Sequence, residues 1–544
     1  MCEETQPAVI HDDVVRLLLH LHHTKPEGAI LCFLPGWEDI RKIRDLIPAE
    51  RDLNVLCLHS KLQDSEQWRI FSKSPPGVRK IILSTNISET SVTIGDVVYV
   101  VDTGIHKETT FDVDKGITCI GNHWVSQSSV EQRKGRAGRV KAGESYHLYP
   151  KSKMDSLPKY SLPEILRVSL TKVVLDSKAY CKDSDALEFF SKLPSPPGRE
   201  NVKLAIDELR DLELIDDEEK LTPLGEVLVD FQLEPKLSKT LVNSVVYKCV
   251  TPIVDIVTLF SSGTEMFASV VDRKEIIRTV KSSYSRTSDH LALMRMFEIW
   301  DDYMDNGERN KADMFCDDMG LLRSRMYMLK ALRSLHFDYL YDGLKSRVLP
   351  ISNDFSDEDE LVKAVLLSGV GSFLTYKNWD VVKGRLKKSN VLLTRMNHKA
   401  TVTPDSVNFK NTALKSKYLL YINETRSNER RTTLIRETSV ISPLMVLLFS
   451  SKKLRMRNVK EDQFSPNLQS EEQVIVNLTG TKLNFLLDRE QAVAIMKCKL
   501  ALNSCYEHFV YQLTAGGEHN KELNRLWDEL LTTLSDLLHD FKNE

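Results

Sequence analysis

The residues best suited to chemistry are eight in a row, Gln132 to Arg139, with the sequence QRKGRAGR. If this segment is helical, Arg136 and Arg139 lie on one face and present two planar guanidinium groups toward the same point. Such groups make paired hydrogen bonds to phosphate oxygens and keep their charge at physiological pH. The pattern therefore predicts arginine fingers, which stabilise the charge that develops on a transferring phosphoryl group. The alternative is a basic helix end that binds nothing.

The elements that would position this octet lie upstream, where short apolar runs alternate with helical patterns. Runs rich in Val, Ile and Leu on both faces, separated by helices, indicate a parallel sheet that is covered on both sides. In such sheets the working residues follow the carboxyl ends of the strands. Polar residues do follow all four predicted strands, GAILCFLP, NVLCLHS, VRKIILST and DVVYVVDTG: Pro35-Gly36, His59-Ser60, Ser84-Thr85-Asn86 and Asp102-Thr103-Gly104.

The rest of the chain divides by pattern. Two alternating runs around residues 114–116 predict a hairpin that projects from the sheet. Helices followed by a two-strand signal at LELIDDEEKLTPLG suggest a winged helix, a long helical stretch comes next, and short runs such as YLLYIN and LMVLLF predict strands of a small barrel. The predicted domains are an α/β sheet domain, a winged helix, an all-α domain, a β-barrel domain and a C-terminal helix, at residues 1–160, 161–230, 231–352, 353–515 and 516–544.

Composition limits the classes of protein that this chain can be. Its 544 residues predict three to five domains, and 42% hydrophobic with 28% charged residues is typical of a folded protein. The nine cysteines form no Cys-x-x-Cys pair, which argues against a zinc site or a disulfide framework and favours a reducing, intracellular compartment. No segment reaches the roughly 18 apolar residues of a membrane span, so we expect no membrane partner. His20, His22 and His23 are interpreted as a solvated helix face, and no metal site is expected.

The distribution of charge indicates a polyanionic partner. Between Lys377 and Lys460 there are 19 Lys and Arg residues against 5 Asp and Glu, although the net charge of the whole chain is −3. A basic block within an otherwise acidic protein favours a surface that meets nucleic acid. A solvated basic surface is the alternative.

Three segments together resemble a known family. The octet, the segment STNISETSVTI before it and FLPGWEDI before that are similar to motifs VI, V and IV of the DEAH-box/RNA helicase A family, in the family's order. The segments PEILR, LTPLGEVL, SDHLALMRMFEIW and SPLMVLLF resemble its winged-helix, ratchet and oligonucleotide-barrel signatures. The resemblance covers nearly all of the chain. Within the family, the chain looks most similar to the branch that contains RNA helicase A and the G-quadruplex-resolving helicases.

The resemblance implies a fold and a function. The fold would be a RecA-like parallel sheet domain followed by winged-helix, ratchet and oligonucleotide-binding barrel domains. The function would be that of the C-terminal half of an ATP-dependent RNA helicase, with ATP and Mg²⁺ as cofactors. The partners would be RNA, a first RecA-like lobe and protein activators, and the compartment would be the cytoplasm, the nucleus or the mitochondrion.

The resemblance also implies roles for individual residues. Gln132 would position the attacking water or touch the γ-phosphate, and Arg136 and Arg139 would be the fingers. Phe71 would stack on adenine, although a core phenylalanine fits its pattern as well. The implied nucleotide contacts further include Thr93 and Asp96, and the implied RNA contacts are Gly36, Ser60, Thr85 and Asn86. A serine or threonine at such a position can equally be a helix cap.

This sequence departs from the family pattern at two places. Family members usually carry Asp directly after the Thr-Ile of motif V, where it meets the ribose or bound nucleotide, whereas this chain has Gly95, with Asp96 one residue later. Either Asp96 takes the role through a shifted turn or the contact is lost. The segment VTPDSVNF, 402–409, stands where relatives more often have His-Pro in the RNA-facing loop of the barrel.

Two further motifs of such motors do not occur in the sequence. There is no Gly-Lys-Ser/Thr to hold the β- and γ-phosphates and no Asp-Glu-x-His to hold Mg²⁺ and activate water. Both belong to the first RecA-like lobe of the family, so we predict that this chain alone does not hydrolyse ATP. Two other functions stay open: a non-catalytic RNA-binding scaffold, and a decayed helicase that acts through protein contacts.

Overall fold

A computed structural model shows how these patterns fold. It describes most of the chain, namely residues 7–59, 62, 68–90, 93–139, 142–181, 185–263, 265–267, 274–344, 353–382, 385–394, 397–411, 414–428, 432–450, 453–458, 473–479, 481, 483–515 and 521–543.

Strands and helices are numbered here in chain order. The strands are β1 Ala29–Phe33, β2 Leu53–Leu58, β3 Arg79–Ser84, β4 Val97–Asp102, β5 Ile105–Asp112, β6 Ile117–Trp124, β7 Glu144–His147, β8 Phe373–Val382, β9 Arg385–Leu393, β10 Lys399–Val402, β11 Tyr418–Leu420, β12 Glu424–Ser427, β13 Thr432–Ile435, β14 Ser439–Ile441, β15 Leu454–Asn458, β16 Gln473–Leu478 and β17 Asn484–Asp488. The helices are α1 His11–Thr24, α2 Trp37–Leu46, α3 Ile87–Thr90, α4 Gln127–Lys134, α5 Lys151–Ser156, α6 Thr171–Tyr180, α7 Ala186–Ser191, α8 Arg199–Asp211, α9 Pro223–Leu228, α10 Pro235–Val246, α11 Val250–Ser261, α12 Lys274–Tyr284, α13 Asp289–Asp305, α14 Arg309–Met319, α15 Arg323–Gly343, α16 Asp359–Val370, α17 Pro443–Phe449, α18 Arg489–Thr514 and α19 Lys521–Asn543.

The first part of the chain forms the predicted parallel sheet. Its strand order is β2-β3-β1-β4-β7, and every neighbouring pair is parallel. Strands β1 and β4 are buried along their whole length, because helices α1 and α2 cover one face of the sheet and shorter segments cover the other. All four strands predicted from the apolar runs are present, and β7 adds a fifth at one edge.

The two faces of the sheet pack into two separate apolar clusters. Ile30 and Cys32 of β1 join α1 and α2 in one cluster, whereas Leu31 and Phe33 point to the other. This division follows from the alternation of side chains along a strand. The second cluster includes buried residues from three loops or short segments outside the sheet, and these segments carry the candidate site.

The predicted hairpin is present as β5 and β6, with Gly116 in the left-handed region at its turn (φ +60°). It leaves the parallel sheet at Gly104 and pairs with the C-terminal β region instead. Strand β6 runs parallel to β12, with Cys119 opposite Arg426. The described strands thereby form a nine-stranded sheet in the order β14-β11-β8-β9-β10-β13-β12-β6-β5. The hairpin is therefore a bridge between the sheet domain and the β region.

The middle of the chain is helical, as predicted, from α10 to α15. Before it, the two-strand signal near residue 215 yields one isolated bridge, between Ile215 and Leu221. Buried apolar residues from Leu170 to Leu538 join in one cluster, so the predicted winged-helix, helical and C-terminal segments share a core. The boundaries at 160, 230, 352 and 515 stay predictions.

One predicted strand is a helix. The run LMVLLF lies in α17, because Ser442 caps the helix by accepting a hydrogen bond from the Met445 N–H (3.1 Å) and Pro443 occupies its first turn. Residues 445–449 are all buried, so a helix that is apolar on every side explains the uninterrupted run.

The C-terminal segment closes the core. Strands β15 to β17 form a small antiparallel sheet beside α18. Helix α19 packs through its apolar face, and the Trp527 indole N–H donates to the Val246 carbonyl (2.8 Å). Among the described helices, none combines the length and the apolar character needed to cross a bilayer.

Candidate functional site

The octet is helical only up to Lys134. Helix α4 begins after Ser126, whose hydroxyl accepts from the Ser129 N–H (3.3 Å). After Lys134 the chain tightens into turns, in which the Arg136 N–H bonds the carbonyl three residues earlier (3.1 Å) and the Ala137 N–H does the same (3.0 Å). The expectation that Arg136 and Arg139 share a helix face is therefore wrong. Turns of this kind still place side chains three residues apart on one side.

Arg133, to which the sequence assigned no role, is the buried anchor of the octet. Its Nε donates to the Glu89 carboxylate (2.9 Å) and its Nη1 donates to the Asp102 carboxylate (2.8 Å). Its guanidinium carbon also lies 4.9 Å from the ring centre of Phe33. The side chains of Arg133 and Asp102 are 1% and 0% exposed. Arg133 therefore holds the turn of the octet in place from inside the protein.

Asp102 is held as a carboxylate although it is buried. Burial alone would raise its pKa, but the nearby imidazole of His147 (3.6 Å), the charge of Arg133 and the N–H of Gly104 (2.9 Å) outweigh burial and lower the pKa below its usual value. The Tyr149 hydroxyl donates to its second oxygen (3.2 Å). Asp102 therefore gives Arg133 a full negative charge to bind.

Arg136 lies at the boundary between this anchor and the surface. It is 7% exposed, and its guanidinium group donates to the backbone carbonyl of Glu89. Burial lowers its pKa, and the nearby positive charge of Arg139 lowers it further. Arg136 therefore does not project freely in this structure, and its role as a finger stays a prediction. The two guanidinium groups are close enough to repel each other. An anion placed between them would relieve that repulsion.

Arg139 is the exposed arginine of the octet. Its guanidinium group donates to the hydroxyl of Thr93, which is itself exposed. Gln132 is also exposed, and no described residue forms a hydrogen bond with its amide. Thr93 and Arg139 were both predicted as nucleotide contacts, and the structure brings them together.

Three segments meet on the same face of the sheet. Ile70, Ile94 and Ala137 are buried in one cluster, and each stands beside candidate residues that face outward. Phe71, which ends a one-turn 3₁₀ helix, is 46% exposed, so the interpretation as a core phenylalanine is wrong. The Trp68 ring lies 5.4 Å from it and is 68% exposed.

Asp96 and Gly95 differ in their surroundings. The Asp96 carboxylate pairs with the buried ammonium of Lys80 (2.7 Å), which also donates to the backbone carbonyls of Ile70 (2.8 Å) and Ser72 (3.0 Å). This pairing ties the Asp96 loop to the segment that carries Phe71. Gly95 is exposed, and a Cβ at that position would have no atom within 4 Å. The backbone therefore has room for the aspartate that the family usually carries there.

The predicted RNA contacts follow the carboxyl ends of the strands. The parallel register sets Phe33 opposite both Ser84 and Asp102, so the loops after β1, β3 and β4 leave the same edge. Thr85 is buried and Asn86 is exposed at this edge. Ser60 lies outside the described residues.

Gly36 has a basic neighbour that the sequence did not reveal. It is the residue before α2, and no side chain caps the N–H groups of that helix. A Cβ at Gly36 would lie 3.3 Å from the Lys107 ammonium nitrogen, which reaches it from the hairpin strand β5. A helix N-terminus next to an ammonium group suits a phosphate. Only the topology brings these two positions together, because they are far apart in sequence.

The interpretation of the histidines as a solvated helix face is wrong for His22. Its side chain is 6% exposed, and it lies within 3.4 Å of Glu50 and 3.3 Å of Asp52. Both carboxylates come from the turn before β2, so their proximity depends on how α1 packs beside that strand. His23 remains exposed.

Comparisons with known proteins show which sequences this chain resembles. Residues 12–141 match the family model described as "Helicase conserved C-terminal domain". The chain is 31% identical to the ATP-dependent RNA helicase DHX30 of Gallus gallus over 535 residues, which cover 95% of this chain and 43% of that protein. It is 31% identical to DHX30 of Homo sapiens over 82% of this chain and 38% of that protein. It is 33% identical to the ATP-dependent DNA/RNA helicase DHX36 of Homo sapiens over 80% and 44%.

The chain thus spans under half the length of the curated relatives that it matches. The prediction of a RecA-like parallel sheet in the first part of the chain agrees with the family match and the strand order. The finer placement among the branches stays a prediction, as do the roles of the individual site residues.

Proposed function

Because the chain belongs to the DEAH-box helicase family, we propose that it supplies the second RecA-like lobe and the nucleic-acid track of an ATP-dependent RNA helicase. One observation carries this proposal: Arg136 and Arg139 hold two mutually repelling charges beside Thr93, on a turn that Arg133 fixes from below. A site of concentrated positive charge held in position by the fold is suited to bind phosphate oxygens.

The residues on this face fit a nucleotide. Phe71 offers an exposed ring to a base, and Arg136 and Arg139 offer guanidinium groups to phosphates. Bound ATP with Mg²⁺ would supply the phosphoryl group whose transfer releases the free energy for unwinding. In this proposal Arg139 and Arg136 stabilise the charge of the γ-phosphoryl group, Gln132 orients the attacking water, and Mg²⁺ is held by the first lobe.

The nucleic-acid track would begin at the carboxyl edge of the sheet. Gly36 with Lys107, together with Thr85, Asn86 and Ser60, would hold RNA phosphates. The track would continue over the β region, where the segment 377–460 is strongly basic. Contacts of this kind position the strand without reading its sequence, so binding should be salt-dependent and weakly specific.

The domains after the sheet complete the proposal. Residues 161–230 would be a winged helix, 231–352 a ratchet domain and 353–515 an oligonucleotide-binding barrel domain. The helical middle of the chain and the β-rich segment that follows it support this assignment. The pairing of β6 with β12 places the hairpin between the sheet domain and the proposed barrel, where it would separate or support RNA strands.

The decisive experiment restores a first RecA-like lobe, with its Gly-Lys-Thr and DEAH motifs, to this chain and measures RNA-stimulated ATPase activity. Replacing the finger, Arg139→Ala, should lower kcat about 10³-fold or more, while RNA affinity stays unchanged. Lys134→Ala is the matched control, because Lys134 is exposed in the same octet and pairs with Glu131 (3.3 Å). An unchanged ATPase rate in Arg139→Ala would eliminate the finger assignment.

The same assay separates the motor from a non-catalytic RNA-binding scaffold. The 544-residue chain alone should bind single-stranded RNA with an affinity that falls steeply with salt and should show no ATPase activity. RNA binding without any ATPase activity after the first lobe is restored would instead support the scaffold.

A further inference from the structure

A second group of polar side chains lies away from the octet, where α1 ends. We call it the α1 histidine cluster: His22 and His23 from the last turn of α1, and Glu50 and Asp52 from the turn before β2. One donor atom from each of His22, His23 and Glu50 can be chosen so that all three lie within 4.8 Å of one another. The proposed helicase mechanism uses none of these residues.

Two separations within the cluster match those of ligands around one ion. His22 Nε2 lies 3.4 Å from a Glu50 carboxylate oxygen and 3.3 Å from an Asp52 carboxylate oxygen. Two ligand atoms that are each about 2.0–2.1 Å from a tetrahedral zinc ion are separated by about 3.3 Å. The His23 ring centre lies 4.7 Å from that of His22, so a second imidazole is within reach of the same point.

The imidazole of His22 is buried, and its nitrogens form no hydrogen bond with the residues that the structure describes. Its side chain is 6% exposed. A buried nitrogen without a hydrogen bond destabilises the folded state. The carboxylates near Nε2 are within range of an ion pair but do not meet the geometry of a hydrogen bond. A cation between these atoms would satisfy the imidazole and both carboxylates.

The neighbouring arginine does not neutralise the carboxylates. Arg79 donates to the backbone carbonyls of Pro26, Gly28, His22 and Lys25, at 2.8, 2.8, 3.3 and 2.6 Å. These bonds also fix the end of α1. Within the described part of the chain, no lysine or arginine forms an ion pair with Glu50 or Asp52. The last turn of a helix carries partial negative charge, which favours a cation further.

We propose that the α1 histidine cluster is a binding site for a divalent transition-metal ion of the Zn²⁺ type. Imidazole and carboxylate ligands together suit zinc and related ions, whereas Mg²⁺ and Ca²⁺ prefer oxygen ligands alone. The bound ion would clamp the end of α1 to the turn before β2, which is an edge strand of the sheet. Its role would be to stabilise the sheet domain, independently of nucleotide binding.

Zinc titration of the 544-residue chain, purified without a histidine tag and treated with a chelator, tests the proposal. We expect one equivalent of Zn²⁺ to bind and to raise Tm by several degrees. His22→Gln and Glu50→Gln should each weaken zinc affinity at least tenfold, while His20→Gln, an exposed histidine of the same helix, should leave it unchanged.

X-ray absorption of the zinc-loaded chain distinguishes this cluster from the nine cysteines. The expected first shell contains nitrogen and oxygen at about 2.0–2.1 Å, and sulfur at about 2.3 Å would assign the ion to cysteine and overturn the proposal. Absence of stoichiometric binding, or equal affinity in Glu50→Gln and the parent chain, would overturn it as well. Since Glu50 is partly exposed, Glu50→Gln keeps the test valid if His22→Gln does not fold.

Discussion

Arg133 and Arg139 belong to the same eight-residue segment but lie in opposite environments. Arg133 is buried between two carboxylates, Glu89 and Asp102, and its charge is neutralised inside the protein. Arg139 is exposed, has a hydroxyl as its partner and stands beside another arginine. The contrast separates two uses of arginine, one that holds a turn in place and one that leaves positive charge available at the surface.

This contrast explains why a simple pattern of arginines carries function. A guanidinium group whose charge is already neutralised has little to offer a phosphate, whereas one with a neutral partner has its charge available. The buried arginine also limits how far the turn can move, so the exposed one starts near its working position. The four predictions that follow test the buried anchor around Arg133 and the exposed candidate nucleotide site separately.

The largest effect is expected from removing the buried arginine. Arg133→Ala removes the cation that pairs with the buried carboxylates of Asp102 and Glu89 and should lower the free energy of unfolding by about 3–5 kcal/mol. Arg139→Ala should change it by less than about 0.5 kcal/mol, because the site is exposed. Urea denaturation measures both. Equal losses in the two variants would abolish the distinction between anchor and finger.

The exposed ring of Phe71 should matter for nucleotide affinity and little for stability. In the chain with a restored first lobe, Phe71→Ala should weaken binding of a fluorescent adenine nucleotide by about 1–3 kcal/mol if the ring stacks on the base. Trp68→Ala is the matched control, since Trp68 is a neighbouring exposed ring without a predicted contact. A larger loss of nucleotide affinity in Trp68→Ala than in Phe71→Ala would show that the base stacks on Trp68 instead.

A substitution at Gly95 should increase nucleotide affinity at the exposed candidate site. Gly95→Asp should fit without strain, because no atom lies within 4 Å of the added Cβ, and it should restore the family's contact to the nucleotide. A new hydrogen bond to a charged group is worth about 1.5 kcal/mol, so nucleotide affinity should rise about tenfold. Gly95→Ala controls for the backbone. If Asp96 already fills the role, affinity will not change.

The smallest effect is the loss of folding stability at low pH that the buried Asp102 should cause. Because the pKa of Asp102 is lowered in the folded state, its carboxylate contributes stability that is fully present above the unfolded pKa of about 3.9 and is lost as pH falls toward the folded pKa. The loss at pH 3.9 is about 0.4 kcal/mol for one such group. Urea midpoints of the parent chain and Asp102→Asn at pH 5 and pH 4 measure it. An equal decrease in both would exclude Asp102 as its source.

The sequence was sufficient for features that depend on local patterns. The apolar runs located β1 to β4, and the polar residues after them marked the carboxyl edge. The turn at Gly116 located the hairpin. These predictions succeed because burial on both faces of a parallel strand leaves a continuous apolar run.

Some predictions failed because local signals were outweighed in the interpretation, and one failed because it depended on distant contacts. Helix α4 stops before Arg136, since Gly135 and Gly138 favour turns over a continued helix. The run LMVLLF is helical because Ser442 and Pro443 start a helix, which its apolar character concealed. The buried side chain of His22 lies beside Glu50 and Asp52, which reach it across the fold. Spacing along one chain cannot reveal such partners, whereas Pro443 was a visible signal.

The most direct test of the central claim is a structure of the chain with a restored first lobe, bound to RNA, Mg²⁺ and a non-hydrolysable ATP analogue. The account predicts that the Arg139 guanidinium leaves Thr93 and lies about 2.7–2.9 Å from a γ-phosphate oxygen, while Arg133 keeps both carboxylates. An Arg139 that stays on Thr93 and points away from the nucleotide would contradict it.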